Sequence, residues 1–225
     1  SAQVRNEKPP RTFENSGFGI RILRTIGKFD LGLSYLYTYN TLPTVDSALF
    51  KGDGFRSISS MEDFSGFFQG INPASLKDLD ITYRYRRMNV WGAEMETTWR
   101  SLGIRAELAY FHKLSFANQQ GSLVEKDLFH YVIGVDRTWG ENLYTNLQFS
   151  QQIVADYEEL FWQKKITNAL TGTIRKELIL GFLIPEIYFY WNTTDGDYYI
   201  NPFITYKYSD HISLMGGAYF LGGSR

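Results

Sequence analysis

Hydrophobic residues recur at every second position along most of this chain, and this spacing limits its fold more than any other feature. One stretch shows the spacing with the residues Leu31, Leu33, Tyr35, Tyr37 and Tyr39. Successive side chains of a β-strand point to opposite faces, whereas an α-helix repeats about every 3.6 residues. Helical spacing is almost absent, so the pattern predicts an all-β protein.

Many positions between the hydrophobic residues are charged. In the stretch 79–100 the alternation of hydrophobic and polar positions keeps the same odd–even parity throughout, and we interpret the stretch as one long strand. Its polar positions are Asp80, Thr82, Arg84, Arg86, Glu94, Glu96, Thr98 and Arg100. Because unpaired charges are costly to bury, this face must contact water. The soluble alternative is a lipocalin-like barrel or a sandwich, which would place the apolar face inside.

Breaks of alternating length divide the chain into ten predicted strands, of which the later ones include 178–192 and 211–222. Short breaks lie near residues 27, 101, 140, 177 and 210, and long breaks span 41–78, 117–127, 156–166 and 193–197. Outer-membrane barrels alternate short periplasmic turns with longer extracellular loops. Interfacial aromatic girdles would then include Trp91, Trp99, Trp139 and Trp191, which lie toward predicted strand ends.

These features predict a transmembrane antiparallel up-and-down β-barrel in the bacterial outer membrane. A sheet that faces lipid must close on itself, because hydrocarbon satisfies no backbone N–H or C=O group. No apolar run reaches the roughly 18 residues of a membrane-spanning helix, and the nearest, Leu178 to Ile184, ends at Pro185. No linker divides the 225 residues, so we expect one domain over 1–225.

Composition excludes several classes of function. The formal net charge is -1, from 23 basic and 24 acidic residues, which provides no basic field for nucleic acid. The absence of cysteine excludes disulfides and thiolate chemistry. His112, His130 and His211 lie on separate predicted strands without metal-ligand spacing. We therefore expect no metal and no cofactor.

Three segments resemble strand-turn-strand units of porin-like bacterial outer-membrane proteins. They are Gly17 to Tyr39 (GFGIRILRTIGKFDLGLSYLYTY), Trp91 to Phe111 (WGAEMETTWRSLGIRAELAYF) and Tyr131 to Leu147 (YVIGVDRTWGENLYTNL). The chain is most similar to the uncharacterised DUF1302-type barrels, over most of its length from about residue 16 onward. The motifs are generic hairpin patterns, so the resemblance implies a porin-like barrel without marking a site.

The two ends of the chain depart from this family. Such barrels start and finish in the periplasm and end with a strand that closes on a terminal aromatic residue. This chain ends Gly222-Gly223-Ser224-Arg225, and the loop lengths place both ends on the extracellular side. We therefore expect an internal portion of a larger barrel, with a self-contained ten-stranded barrel as the alternative.

Eight charged residues are the candidates for a lumen surface that selects solutes. They are Arg21, Arg84, Arg86, Glu94, Glu96, Arg100, Arg105 and Glu107. In a pore, opposed basic and acidic ladders create a transverse field that orients and selects solutes. The simpler interpretation is that cross-strand ion pairs between these residues stabilise the wall.

The 41–78 break is too long for an ordinary hairpin, and we expect an extracellular loop or one folded into the lumen as a constriction. Phe64, Phe67 and Phe68 would contact an apolar solute or, more simply, anchor this loop to the wall. The segment Asp195-Gly196-Asp197 could bind calcium, although the tip of a hairpin is the simpler interpretation.

The leading hypothesis is a channel for passive transport of small solutes, and we do not expect an enzyme. Its partners would be membrane lipid, lipopolysaccharide and the small solute, with no nucleic acid, and a homo-oligomer or an accessory partner protein is a further option. The alternative is a structural barrel that scaffolds a plug, a fibre or an electron carrier. Loops 41–78 and 156–166 would then be docking surfaces, the second through Tyr157, Leu160, Phe161 and Trp162.

A membrane-embedded hydrolase is the third hypothesis, and the residues disfavour it. No GxSxG motif is present. His130 and Asp136 share a face, but six residues along a strand span about 20 Å, too far for a direct pair.

Overall fold

The computed structural model describes residues 3–40, 44–50, 79–117, 123–161 and 163–223. Within these ranges most residues lie in β-strands, and two short 3-10 turns occur at Phe13–Asn15 and Ile179–Gly181. The predicted all-β class is therefore confirmed. In this part of the chain no helix is long and apolar enough to cross a membrane. Phe64, Phe67 and Phe68 lie outside the described residues.

Strands account for the alternating segments found in the sequence. Their bounds are β1 (Gln3–Glu7), β2 (Phe18–Ile26), β3 (Phe29–Tyr39), β4 (Thr44–Phe50), β5 (Leu79–Arg84), β6 (Arg87–Trp99), β7 (Leu102–Ala117), β8 (Leu123–Trp139), β9 (Leu143–Val154), β10 (Ile166–Lys176), β11 (Leu183–Asn192), β12 (Tyr198–Ser209), β13 (Ile212–Gly217) and β14 (Phe220–Gly222).

One large antiparallel sheet contains most of these strands, and its order follows the chain. The path runs β2-β3-β6-β7-β8-β9-β10-β11-β12-β13, and β14 adds to it by pairing with β12. A separate sheet has the order β1-β5-β4, with β1 parallel to β5. The predicted up-and-down succession is therefore confirmed.

The large sheet is open. Strand β2 is one edge, and β13 together with β14 forms the other; β2 and β13 are exposed along their whole length. The closed barrel predicted from the sequence is not present in this structure. The period-two pattern specifies which residues share a face, but it does not specify which outer strands meet.

The predicted single strand over 79–100 is two strands in two sheets. Strand β5 pairs with β1 and β4, whereas β6 pairs with β3 and β7. The break falls at Tyr85 and Arg86, where the backbone N–H of Asn40 donates to the carbonyl of Arg86 at 2.8 Å. The partner hairpin strand breaks at the same level, between β3 and β4. The odd–even alternation of hydrophobic residues continues across this break, whereas the partner strands on the two sides of it are different.

Strands β1 and β4 were not predicted, and β4 lies within the segment 41–78 that was expected to be a loop. Other boundaries also differ from the prediction. The loop expected over 117–127 is shorter, since β7 reaches Ala117 and β8 begins at Leu123. The strand expected from 178 begins at Leu183, because Ile179 and Leu180 have positive φ angles of 51° and 56° in a 3-10 turn. The strand expected over 211–222 is interrupted between β13 and β14. The 193–197 connection agrees with the prediction.

Buried hydrophobic side chains are concentrated at the end of the sheet that carries the longer connections. Phe116, Leu128, Val154 and Phe161 form a cluster, and the residues packed against it are Phe111, Leu114, Val124 and Tyr157. Leu128 pairs directly with Val154 and shares its face with the polar residue His130. The connection 155–165 therefore folds over the polar face of the sheet. An ion pair of 2.8 Å between Lys126 and Glu158 supports the same placement.

We expect Phe161→Ala to release the 155–165 connection from the sheet. Phe161 is only 3% exposed, and truncating a buried phenylalanine costs about 3–5 kcal/mol. Trypsin cleavage after Lys164 and Lys165, followed by mass spectrometry, measures the release. Leu160→Ala is the matched control, because Leu160 is 44% exposed. Equal cleavage rates for wild type and Phe161→Ala would contradict the packing described above.

Candidate functional site

The register of the central strands brings five of the eight candidate residues to one face, which we call the charged face. Glu94 lies directly opposite Glu107, and Glu96 lies directly opposite Arg105, on β6 and β7. Residues directly opposite in an antiparallel pair point to the same side of the sheet. Arg21 on β2 reaches this group by contacting Glu94.

The pair of Arg21 and Glu94 spans three strands. The Arg21 guanidinium donates to Oε1 of Glu94 at 2.5 and 2.8 Å and to Oε2 at 2.7 Å. Strand β3 lies between the two residues, and Gly32 is directly opposite Glu94. A Cβ atom at Gly32 would overlap the Glu94 carboxylate. The absence of a side chain at Gly32 therefore provides the space in which this ion pair crosses β3.

Arg105 holds two carboxylates at once. Its Nη1 donates to Oδ1 of Asp136 at 2.9 Å, and its Nη2 donates to Oε1 of Glu96 at 3.1 Å. Asp136 was not among the predicted candidates. It pairs in register with Gly103 and not with Arg105, so the contact is diagonal. The even-numbered position of Asp136 on β8 could have indicated its face. Its contact with Arg105 also depends on the register between β7 and β8, which the sequence does not reveal.

Glu107 differs from Glu94, Glu96 and Asp136, because no ion pair engages it among the described residues. It lies directly opposite Glu94, and like charges in that position repel each other. Arg21 neutralises Glu94 and so reduces this repulsion. Asp30 lies on the same face opposite Glu96, and its carboxylate accepts a hydrogen bond of 2.6 Å from the Thr25 hydroxyl.

The other three candidates lie elsewhere, which corrects the prediction that all eight share one wall. Arg84 is on β5 and pairs with Glu7 at 3.0 Å. Arg86 lies in the break after β5 and is 3.6 Å from Glu125. Arg100 lies in the turn after β6, with φ of 48° and its guanidinium 5.2 Å from the centre of the Trp99 ring. Parity alone placed them together, because it assumed one continuous strand.

The opposite side of the sheet, which we call the apolar face, carries a row of aromatic rings. Tyr35, Trp91, Tyr110 and Phe129 are consecutive cross-strand partners on β3, β6, β7 and β8. Their successive ring centres are 5.3, 5.5 and 4.8 Å apart. Toward the other end of the same strands lie Trp99 and Trp139, which are both exposed.

Polar groups appear on the apolar face just beyond the aromatic row. The Tyr110 hydroxyl donates to Oδ2 of Asp127, whose Oδ1 is 2.9 Å from Nδ1 of His112. The Tyr35 hydroxyl donates to Oδ1 of Asn89 at 2.6 Å. The tyrosines therefore direct apolar ring surface toward the middle of the sheet and their hydroxyls toward the polar end, as amphipathic rings do at an interface.

The segment considered for calcium is the tip of the β11–β12 hairpin. Oδ1 of Asp195 lies 2.7 Å from Nζ of Lys164, and Oδ2 accepts a hydrogen bond of 2.7 Å from Asn192. Lys164 also donates to the carbonyl of Thr194 at 2.9 Å. Among the residues that the structure describes, no group of three or more potential metal ligands occurs. Asp195 instead ties this tip to the 155–165 connection.

The docking surface expected at 156–166 needs a correction in part. Phe161 is buried in the hydrophobic cluster, and Tyr157 packs against that cluster, so both side chains hold the connection against the sheet. Leu160 is exposed, and Trp162 lies outside the described residues. The hydrophobic pattern of this loop could not distinguish an exposed aromatic surface from one that the loop buries itself.

No protein-family model, curated protein or solved structure matches this chain. The resemblance to porin-like barrels of the DUF1302 type therefore stays a prediction from the sequence. Function has to be inferred from the two faces of the sheet, their charges and the connections that cover them.

We expect Lys164→Gln to raise the pKa of Asp195 toward its ordinary value of 3.8. The Lys164 ammonium, followed by the Asn192 amide, holds the pKa of Asp195 below that value. A lowered carboxyl pKa stabilises the loop contact above about pH 4, and this contribution is lost as pH falls through the folded-state pKa. A titration of the carboxyl carbon by NMR measures the change.

Lys165→Gln is the control for this titration, because it removes a neighbouring positive charge and leaves the Lys164 contact in place. It should leave the Asp195 titration nearly unchanged. Equal shifts from the two variants would mean that Asp195 responds to general charge and not to the Lys164 contact.

Proposed function

We propose that this chain forms the wall of an outer-membrane β-barrel that passively transports small solutes. In this proposal the apolar face contacts lipid and the charged face lines a water-filled pore. The observation that carries it is the inverted polarity of the sheet. Large hydrophobic side chains such as Leu33, Ile133 and Leu147 are 47–65% exposed, while the opposite face holds the ion pairs.

This arrangement is difficult to reconcile with a water-soluble protein. A soluble sheet buries its apolar face against another layer. Within the described residues no second layer covers the apolar face, and the connection that does fold onto the sheet covers the charged face instead. Exposed apolar surface of this extent is typical of contact with a membrane or another protein.

The displacement of the aromatic residues supports tilted strands. The cross-strand partners of Met95 on β7, β8, β9 and β10 lead in register to Trp191 on β11, so Trp191 is level with Met95. Met95 lies four residues beyond Trp91 on β6, so the two tryptophans are displaced by four residues along the strands. Four residues are about 13 Å, and five strand spacings are about 24 Å. The corresponding tilt is roughly 30°, close to the 35–45° of membrane barrels.

The other aromatic margin shifts in the same direction. Trp99 on β6 pairs with Leu102 on β7. Because Gly103 pairs with Asp136, Leu102 is level with residue 137 of β8. Trp139 therefore lies two residues beyond the level of Trp99. The eight residues from Trp91 to Trp99 span about 26 Å along the strand, or about 23 Å at a tilt of 30°. This height is near the apolar band of about 25 Å in outer-membrane barrels.

The same proposal requires that the open edges be paired in the membrane. Hydrocarbon leaves unpaired backbone groups unsatisfied, so neither β2 nor β13 would remain free there. Membrane lipid and lipopolysaccharide would contact the apolar face.

The 155–165 connection, folded over the charged face, would narrow the pore mouth, a role that the sequence suggested for 41–78. The scaffold hypothesis loses one of its proposed docking residues, because Phe161 is buried, and most of its other docking segment, 41–78, lies outside the described residues.

The full chain, refolded into planar lipid bilayers, should give stepwise ionic conductance. Met95→Arg places a charge on the apolar face, where it costs about 2–4 kcal/mol near the middle of a bilayer, and should abolish insertion. Gln148→Arg is the matched variant on the charged face and should still insert. A wild-type protein that inserts without conducting would contradict the channel, and equal insertion of both variants would contradict the assignment of faces.

A further inference from the structure

The charged face has an imbalance of charge that bears on the solutes it could pass. This inference rests on the proposed function, namely that this face lines the pore. From the pairing of its arginines and carboxylates, we infer that the pore selects cations over anions and that Glu107 is a main determinant of the selectivity.

Both arginines of the central wall are already engaged by carboxylates. Arg21 makes three short contacts with Glu94, and Arg105 is shared between Glu96 and Asp136. Their positive charge is therefore largely neutralised where it arises. An anion near either arginine would therefore meet a positive charge that an adjacent carboxylate already offsets.

The carboxylates outnumber the arginines on this part of the wall. In the described central segments of β2, β3, β6, β7 and β8, the charged face carries two arginines and five carboxylates. The arginines are Arg21 and Arg105, and the carboxylates are those of Asp30, Glu94, Glu96, Glu107 and Asp136. The formal balance is a net charge of three negative units. Lys126, nearer the mouth, is paired with Glu158 at 2.8 Å and adds no net charge.

The described strands β9 to β12 do not compensate for this imbalance. The same face of β9 carries Asn146, Gln148, Ser150 and Gln152, which are uncharged. Toward the short turns of β10 to β12, Arg175 contacts Glu177 at 2.8 Å and lies opposite Glu186, and Lys207 is the other cation. These two cations and two carboxylates cancel. The net negative charge therefore stays on the central strands.

A net negative wall acts on every ion in a narrow aqueous passage and needs no discrete binding site. Clefts lined by one sign of charge concentrate counter-ions, and carboxylate-lined constrictions favour cations. Glu107 and Asp30 contribute most directly, because both are exposed and no ion pair of the described residues offsets either carboxylate. Glu94, opposite Glu107, is neutralised by Arg21.

Glu107→Gln is a clean test of this inference. The substitution keeps the size of the side chain, breaks no ion pair and removes the repulsion with Glu94, so the variant should fold. The reversal potential across a KCl gradient in planar bilayers gives the ratio of K⁺ to Cl⁻ permeability. Wild type should favour K⁺, and Glu107→Gln should lower the ratio about twofold, as expected for one charge near the ion path.

Glu141→Gln is the matched control, because Glu141 is exposed in the turn between β8 and β9 and away from the central wall. It should leave the ratio unchanged. A conducting wild-type pore with equal or greater Cl⁻ permeability would overturn the inference and leave the channel intact, as would equal effects of the two variants. A wild-type protein that inserts without conducting would overturn both proposals.

Discussion

Each residue of the large sheet is assigned to a face by its parity, and everything else in the structure depends on this constraint. In an antiparallel sheet a shift of one residue would move every side chain to the opposite face. The chain uses this strict alternation to build one face of exposed large hydrophobic residues and another of ion pairs. That separation carries the proposal of a wall between lipid and water, because a packed soluble core would require the reverse arrangement.

The ion pairs matter more for position and field than for stability. Arg21 and Glu94 are 58% and 34% exposed, and exposed pairs contribute at most about 1 kcal/mol each. Their effect is to lay long side chains flat along the wall, helped by Gly32, so that the middle of this face stays open. The one cluster of buried hydrophobic residues in the described part of the chain lies at the end with the longer connections, where Phe161 packs against the sheet.

Sequence reasoning predicted most strands of the large sheet and the residues that share a face, because both follow from spacing along the chain, but it missed β1 and β4. It failed where the outcome depends on register or on distant contacts. Arg105 meets Asp136 diagonally across β7 and β8, and Arg84 belongs to a separate sheet with Glu7. Spacing also could not show that the sheet is open, or that Phe161 turns inward to pack on β7, β8 and β9.

The alternation of lipid and water contact along one strand tests this account most directly. The chain has no cysteine, so single cysteines carrying nitroxide labels can be placed at each position over 145–150 of β9 in the bilayer-inserted protein. We predict that labels at Thr145, Leu147 and Phe149 are accessible to oxygen, and that labels at 146, 148 and 150 are accessible to a water-soluble nickel complex. Uniform accessibility or the opposite alternation would contradict a sheet that separates lipid from water.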